Sequence, residues 1–164
     1  KTLIERLSQK IEENTVLDED EIMHIFIELV GALLYLHNFQ QQGVQRVVHR
    51  DIKLQNIFLK STENQIHVKL GDFGIAQQLN LVKEKVRDCV GTDIYQAPEI
   101  VLGYFYDEKV DIWAAGVVLY QLIQRQNPFV DGQLKHAITH KIYKRTRASS
   151  GMNDLVDVIF TVDP

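Results

Sequence analysis

The run HRDIKLQNIFL at residues 49–59 sets His49, Arg50, Asp51, Lys53 and Asn56 close together and then turns apolar at Ile57, Phe58 and Leu59. An acid, two bases and an amide beside a segment that must be buried belong on a loop held by a rigid scaffold, which is where chains display function. Just beyond, NIFLK (56–60) and QIHVKL (65–70) are short and apolar, and the polar STEN separates them. That pattern predicts two strands joined as a hairpin. A second acid, Asp72 in LGDFG, follows the second strand.

If the strands pair, Asn56 at the start of one and Asp72 past the end of the other lie at the same end of the ribbon. An amide oxygen and a carboxylate converging there suit Mg2+, which takes oxygen ligands and retains some waters. Asp51 then remains to accept a proton or orient a hydroxyl. Lys53, a compact positive charge, is suited to steadying a phosphate. Together these parts fit phosphoryl transfer, where positioning and charge neutralisation carry most of the catalysis.

Outward from this centre the chain reads as mostly helical. Ile22, Ile25, Phe26, Leu29, Val30, Leu33, Leu34 and Leu36 recur at steps of three and four, predicting a helix from about Glu19 to about His37. Asp18 and Glu21 have the spacing of a capping box, and Leu17 and Ile22 that of a hydrophobic staple. Residues 75–96 form a long polar segment with little periodicity. Helices are expected again at 111–125, 131–144 and 153–160. IWAAGVVLY (112–120) reads as a helix buried on all sides, far short of the ~18 apolar residues that span a bilayer.

The 164 residues suit one domain or a large part of one. A net charge of −4 leaves no basic field for phosphate backbones, which argues against nucleic-acid binding and against a magnesium nuclease. The single cysteine, Cys89, excludes an internal disulfide framework and fits a reducing compartment. No apolar run opens the chain, so a signal peptide is not expected. The expectation is an intracellular, cytoplasmic protein.

HRDIKLQN fits the protein-kinase pattern H-R-D-x-x-x-x-N, and DFG fits the magnesium-binding motif. APE at Ala97–Glu99 follows in order, and DIWAAG (111–116) resembles the buried helix that anchors the catalytic loop. The chain thus resembles a eukaryotic protein kinase of the serine/threonine type over nearly its whole length. QNIFL, Gly71 before DFG and the long connection between YLH and HRD resemble the NIMA-related kinases in particular. The implied fold is mainly α with a small β-hairpin: a kinase C-terminal lobe without the N-terminal β-lobe, with its catalytic loop at 49–56 and its activation segment at 72–99. The resemblance also implies ATP and Mg2+ as cofactors and a protein substrate. It makes Asp51 the catalytic base, Asn56 and Asp72 the metal ligands, Lys53 a contact to the transferred phosphate and Phe58 the floor of the adenine pocket. A cytoskeletal or ciliary association follows from the resemblance alone. Oligomeric state is left open.

The resemblance breaks in places. No G-x-G-x-x-G and no V-A-I-K occur, and KTLIERLSQ at the start resembles the first helix of the C-terminal lobe. VDP at 162–164 resembles the sequence before an arginine that pairs with the Glu of APE, so in these 164 residues Glu99 is expected to lack that partner. The 164 residues alone are therefore expected to have negligible kinase activity. The alternative is a non-catalytic, truncated kinase-like protein that binds or regulates. Leu54 and Asp93 stand where prolines are usual. Asp88, four residues before Thr92, falls where an activating phosphothreonine is common, with Arg50 as its natural partner; the alternative is a solvated loop acid. His49 is expected to be packed and hydrogen-bonded, Arg50 to organise the activation segment, Trp113 to lie in the core, and Asp111 to be a buried acid satisfied by backbone amides. His136 and His140 read as an exposed helix face and Cys89 as an ordinary loop thiol.

Overall fold

The apolar stripe between residues 22 and 36 folds as a helix with the bounds expected of it, Glu19–His37. The computed structural model describes residues 1–39, 44–62, 65–80, 91–129 and 133–161. The element order is α1 (Leu3–Glu12), α2 (Glu19–His37), β1 (Val44–Val48), β2 (Ile57–Ser61), β3 (Ile66–Leu70), β4 (Gln77–Asn80), α3 (Pro98–Val101), α4 (Lys109–Gln124), α5 (Leu134–Thr139) and α6 (Ser150–Thr161), with 3-10 turns at Leu54–Asn56 and Asp93–Tyr95. No described helix is long and apolar enough to cross a membrane.

The core is one cluster built on α2 and α4. Along α2, Ile22, Ile25, Phe26, Leu29 and Leu33 are buried, whereas Leu34 points out and is 61% exposed. The stripe is narrower than the periodicity suggests, because a helix packed on one side covers only about a third of its circumference. In α4 every residue from Trp113 to Leu122 is buried, as the sequence predicts for a central helix. Gly116 lets α6 come close, since a Cβ there would sit 2.5 Å from Ile159 Cγ2. Trp113 stacks on Phe129 at 5.5 Å and lies 4.8 Å from Phe160, which closes the core at that end.

The expected hairpin forms. β2 and β3 are antiparallel, paired from Ile57 with Leu70 to Ser61 with Ile66. A second ribbon, β1 with β4, was not expected from the sequence; it pairs Val48 with Gln77 and Val47 with Gln78. QQLN carries no period-two alternation, so backbone pairing rather than side-chain patterning makes it a strand.

Three helix expectations need correction. Asp18 caps α2, its Oδ1 accepting from Glu21 N at 2.7 Å, yet the Glu21 carboxylate bonds the Arg6 guanidinium at 2.8 and 3.1 Å instead of reaching back. The reciprocal capping box lies on α1, where Thr2 and Glu5 satisfy each other's backbone N–H groups. The helix expected at 131–144 is Leu134–Thr139 only, and the chain leaves it through Lys141 at φ +54°. The one expected at 153–160 starts earlier, because the Ser149 hydroxyl accepts from Met152 N at 3.4 Å.

Candidate active site

The site is built from the inside out, starting at Asp111 in the first turn of α4. Its side chain is fully buried. Oδ1 accepts from Arg50 N and Oδ2 from His49 N, each at 2.8 Å, and His37 Nε2 lies 2.8 Å from Oδ2. A buried carboxylate needs such donors to offset its lost hydration. Two successive backbone amides on one carboxylate fix the turn that begins the 49–56 loop, and Arg50 there adopts φ +66°.

His49 is also fully buried. Its Nδ1 faces the Asp51 N–H at 3.4 Å and its Nε2 the Gly71 carbonyl at 3.0 Å, which places the ring proton on Nε2. The ring lies 4.7 Å from that of Phe73. His49 thus ties the loop to the turn carrying Asp72. Arg50 donates to the Ile75 carbonyl at 2.6 Å, to Gln77 Oε1 at 2.8 Å and to the Tyr106 hydroxyl at 3.3 Å. These contacts tie the loop to the segment that follows Gly74. Asp88, the expected acidic partner of Arg50, and Cys89 lie outside the described residues.

Asp51 stands at the rim of this frame. Oδ2 accepts from Lys53 Nζ at 2.6 Å and from Asn56 Nδ2 at 2.9 Å, and Oδ1 accepts from the Thr92 hydroxyl at 3.2 Å. Lys53 also donates to Thr92 Oγ1 at 3.2 Å. Asn56 Nδ2 bonds the Asp51 backbone carbonyl too, at 2.9 Å. With its N–H groups turned to Asp51, the amide keeps Oδ1 as its oxygen for another ligand. Across the ribbon, Gly71 N donates to Asn56 O at 2.9 Å. Asn56 and the turn holding Asp72 therefore meet at one end of the β2–β3 hairpin, the end the sequence predicts. Asp72 is exposed, at φ +60°, and among the described residues its Oδ1 takes only a 3.3 Å contact from Gly74 N.

The structure thus gathers Asp51, Lys53 and Asn56 by direct hydrogen bonds and brings Asp72 beside them through the backbone. Phe58 sits two residues along β2, 44% exposed, with its ring over Gly71: a Cβ on Gly71 would lie 2.6 Å from Phe58 Cε2. For a cation, Asn56 Oδ1 and the Asp72 carboxylate are hard oxygen donors at one rim, a set that fits Mg2+ completed by water and phosphate oxygens. No group of three or more His, Cys, Asp or Glu able to hold a metal occurs among the described residues. His136 and His140 are both exposed, with ring centres 4.0 Å apart.

Gly91 is a residue that the motif reading passed over. Its φ is +97°, and a Cβ would lie 2.6 Å from the Arg50 carbonyl oxygen. Only glycine lets the segment before Thr92 pass so close to the 49–56 loop. Its place directly before Thr92 in VGT was the available signal. Farther along, Glu99 is buried at the start of α3. Burial pushes its carboxyl up and Asp107 adds to the rise, while a backbone hydrogen bond, Lys109 and Lys141 oppose it.

Comparison with known proteins agrees with this geometry. The family described as protein kinase domain matches residues 2–164. Serine/threonine-protein kinase Nek5 of Homo sapiens is 35% identical over 99% of this chain, Nek8 of Danio rerio 38% over 92%, and Nek2 of Mus musculus 36% over 92%. The chain spans only 22%, 21% and 34% of those relatives' lengths. With the motif order, the two ribbons and the family match in agreement, the chain belongs to the eukaryotic protein kinase family, is of the serine/threonine type, and resembles the NIMA-related kinases.

Proposed function

We propose that the protein carrying these residues is a serine/threonine protein kinase that transfers a phosphoryl group from ATP, with Mg2+, to hydroxyls of a protein substrate. Residues 1–164 then form part of its kinase domain, with the catalytic loop at 49–56 and the activation segment at 72–99. The observation that carries this reading is the Asp51 carboxylate, held at the rim by Lys53, Asn56 and Thr92. Three donors fix its direction, and it still has lone pairs for a substrate hydroxyl. In this role Asp51 orients the hydroxyl and takes its proton as attack proceeds.

Lys53 lies within 2.6 Å of that carboxylate, so it can offset charge on the phosphoryl group passing the same point. Asn56 and Asp72 would hold Mg2+, which when bound neutralises the charge of the phosphates. Phe58 offers a half-exposed ring at the hairpin end for the adenine to rest on. The 164 residues contain neither G-x-G-x-x-G nor V-A-I-K. Taken by themselves they are expected to give negligible turnover.

The test is phosphate transfer from labelled ATP to a serine- or threonine-bearing protein, with the Asp51→Asn variant alongside. Loss of a general base lowers the rate by roughly 10²–10⁴-fold. Transfer that persists undiminished in Asp51→Asn would refute the assignment.

A further inference from the structure

Asp93 stands out among the acids near the site because nothing among the described residues engages its carboxylate. By contrast, Asp51 is held by three donors, Asp107 accepts from Lys109 N at 3.0 Å, and Glu108 pairs with Arg46 at 2.7 Å. Asp93 is exposed, and it opens the 3-10 turn Asp93–Tyr95, which makes no side-chain cap bond. The turn itself is well anchored. Tyr95 is buried, its N–H bonds the Thr92 carbonyl at 2.9 Å, and its hydroxyl bonds Gln121 of α4 at 2.9 Å. A charge on a rigid turn with no partner among the described residues is placed to act on something from outside.

We propose that Asp93 selects protein substrates with a lysine or arginine within two residues of the acceptor hydroxyl. This deepens the kinase reading and rests on it, because Asp51 must be where the acceptor arrives. Thr92, the neighbour of Asp93, has its hydroxyl 3.2 Å from the Asp51 carboxylate. With consecutive Cα atoms ~3.8 Å apart, the Asp93 and Asp51 carboxylates are separated by no more than roughly 13 Å. An extended substrate advances ~3.3 Å per residue, so a long basic side chain one or two residues from the acceptor reaches Asp93. Attraction at that range survives physiological salt, with a screening length of ~8 Å, and fades beyond it. An acidic residue in the same place is repelled, so one carboxylate both recruits and rejects.

The experiment measures kcat/KM of the full-length protein that carries these residues on peptides that differ only beside the acceptor serine, carrying Lys, Arg, Gln or Glu on either side. For an exposed pair of charges the expected preference for Lys or Arg over Gln is about three- to five-fold, expressed in KM. Raising salt from about 0.05 to about 0.5 M should erase it. Asp93→Asn, which keeps the shape, and Asp93→Ser should both flatten the series, and Asp93→Lys should reverse it in favour of Glu. Real turnover with no basic preference, or a preference that Asp93→Asn retains, overturns the proposal and leaves the kinase reading standing. If no peptide is phosphorylated and Asp51→Asn behaves as the unmodified protein does, the kinase reading fails and this proposal fails with it.

Discussion

Two aspartates near the 49–56 loop have opposite surroundings. Asp111 is fully buried, and both its oxygens are occupied by His49 N, Arg50 N and His37 Nε2. Asp72 is exposed, and its only hydrogen bond among the described residues is the 3.3 Å contact from Gly74. The first acid is sealed away from any ligand by its burial and can only impose shape. The second has nearly all its capacity left and imposes none. A site of this kind needs both: a satisfied acid beneath, to hold the loop, and an open acid at the rim, to meet charge.

The largest break in that contrast comes from Asp111→Ala. It strips partners from two buried N–H groups and from His37, and each buried unsatisfied group costs about 1–3 kcal/mol. Chemical or thermal denaturation should show a loss of about 3–5 kcal/mol, the range for removing one side of a buried charged network. Activity should fall with it. Asp111→Asn should not rescue either, because its amide would present an N–H to one of the same backbone donors.

Asp72→Asn should separate the two effects. The fold has almost nothing to lose at an exposed side chain, so the melting temperature should hold within about 1 °C. Phosphoryl transfer at saturating ATP should fall by about 10²–10³-fold, the usual effect of removing one charge-stabilising group from a site. Raising Mg2+ should recover part of the loss. Should stability fall as far as it does in Asp111→Ala, Asp72 would be a scaffold acid too and the contrast would be lost.

The legibility of the chain divides along the same line. α2 and α4 were readable because burial imposes a period on Ile22–Leu33 and a continuous apolar run on 112–120. The rim was readable because Asp51, Lys53 and Asn56 crowd into one short loop and Asp72 follows a strand that pairs back beside it. What escaped was held by backbone alone. The β1–β4 ribbon joins two segments about thirty residues apart through main-chain bonds, and the sequences VQRVV and QQLN show no alternation. Gly91 matters for what it lacks, since the Arg50 carbonyl occupies the space a Cβ would need. The end of α5 is set by one left-handed residue, Lys141, which no periodicity announces. The Glu21 side chain was misplaced because local spacing cannot show that Arg6, distant in sequence, competes for it.

A smaller effect tests a second buried acid, one whose titration burial displaces. Burial raises the Glu99 carboxyl above its usual range. The folded state therefore favours the protonated acid. The associated stability is fully present below the ordinary unfolded-state value of about 4.3 and is lost as pH rises through the raised folded-state value. In a polypeptide ending at Pro164, Glu99→Gln removes this dependence. The variant should melt higher at neutral pH by about 2–4 °C, the shift that about 1 kcal/mol gives at this size. The gap should close as pH falls toward 4. A variant that is less stable than the parent at pH 7 would mean that Lys109 and Lys141 outweigh the burial.

The smallest effect is expected at the hairpin end, where Phe58 and Gly71 meet. Gly71 does not need a left-handed backbone, so alanine there is not strained in itself. Its Cβ would nevertheless lie 2.6 Å from Phe58 Cε2 and 3.1 Å from Cδ2, and the ring must turn aside. Phe58 is half-exposed rather than part of the core, so displacing it should cost only about 0.5–1.5 kcal/mol. If the ring supports the adenine, Gly71→Ala should raise KM for ATP about three- to ten-fold with kcat nearly unchanged, the pattern of a lost ground-state contact. Asp72, one residue away, should show the reverse pattern, with kcat falling and KM for ATP changing less. If instead Gly71→Ala lowers kcat and leaves KM alone, the ring matters through the turn carrying Asp72, and the two neighbours belong to the same part of the site.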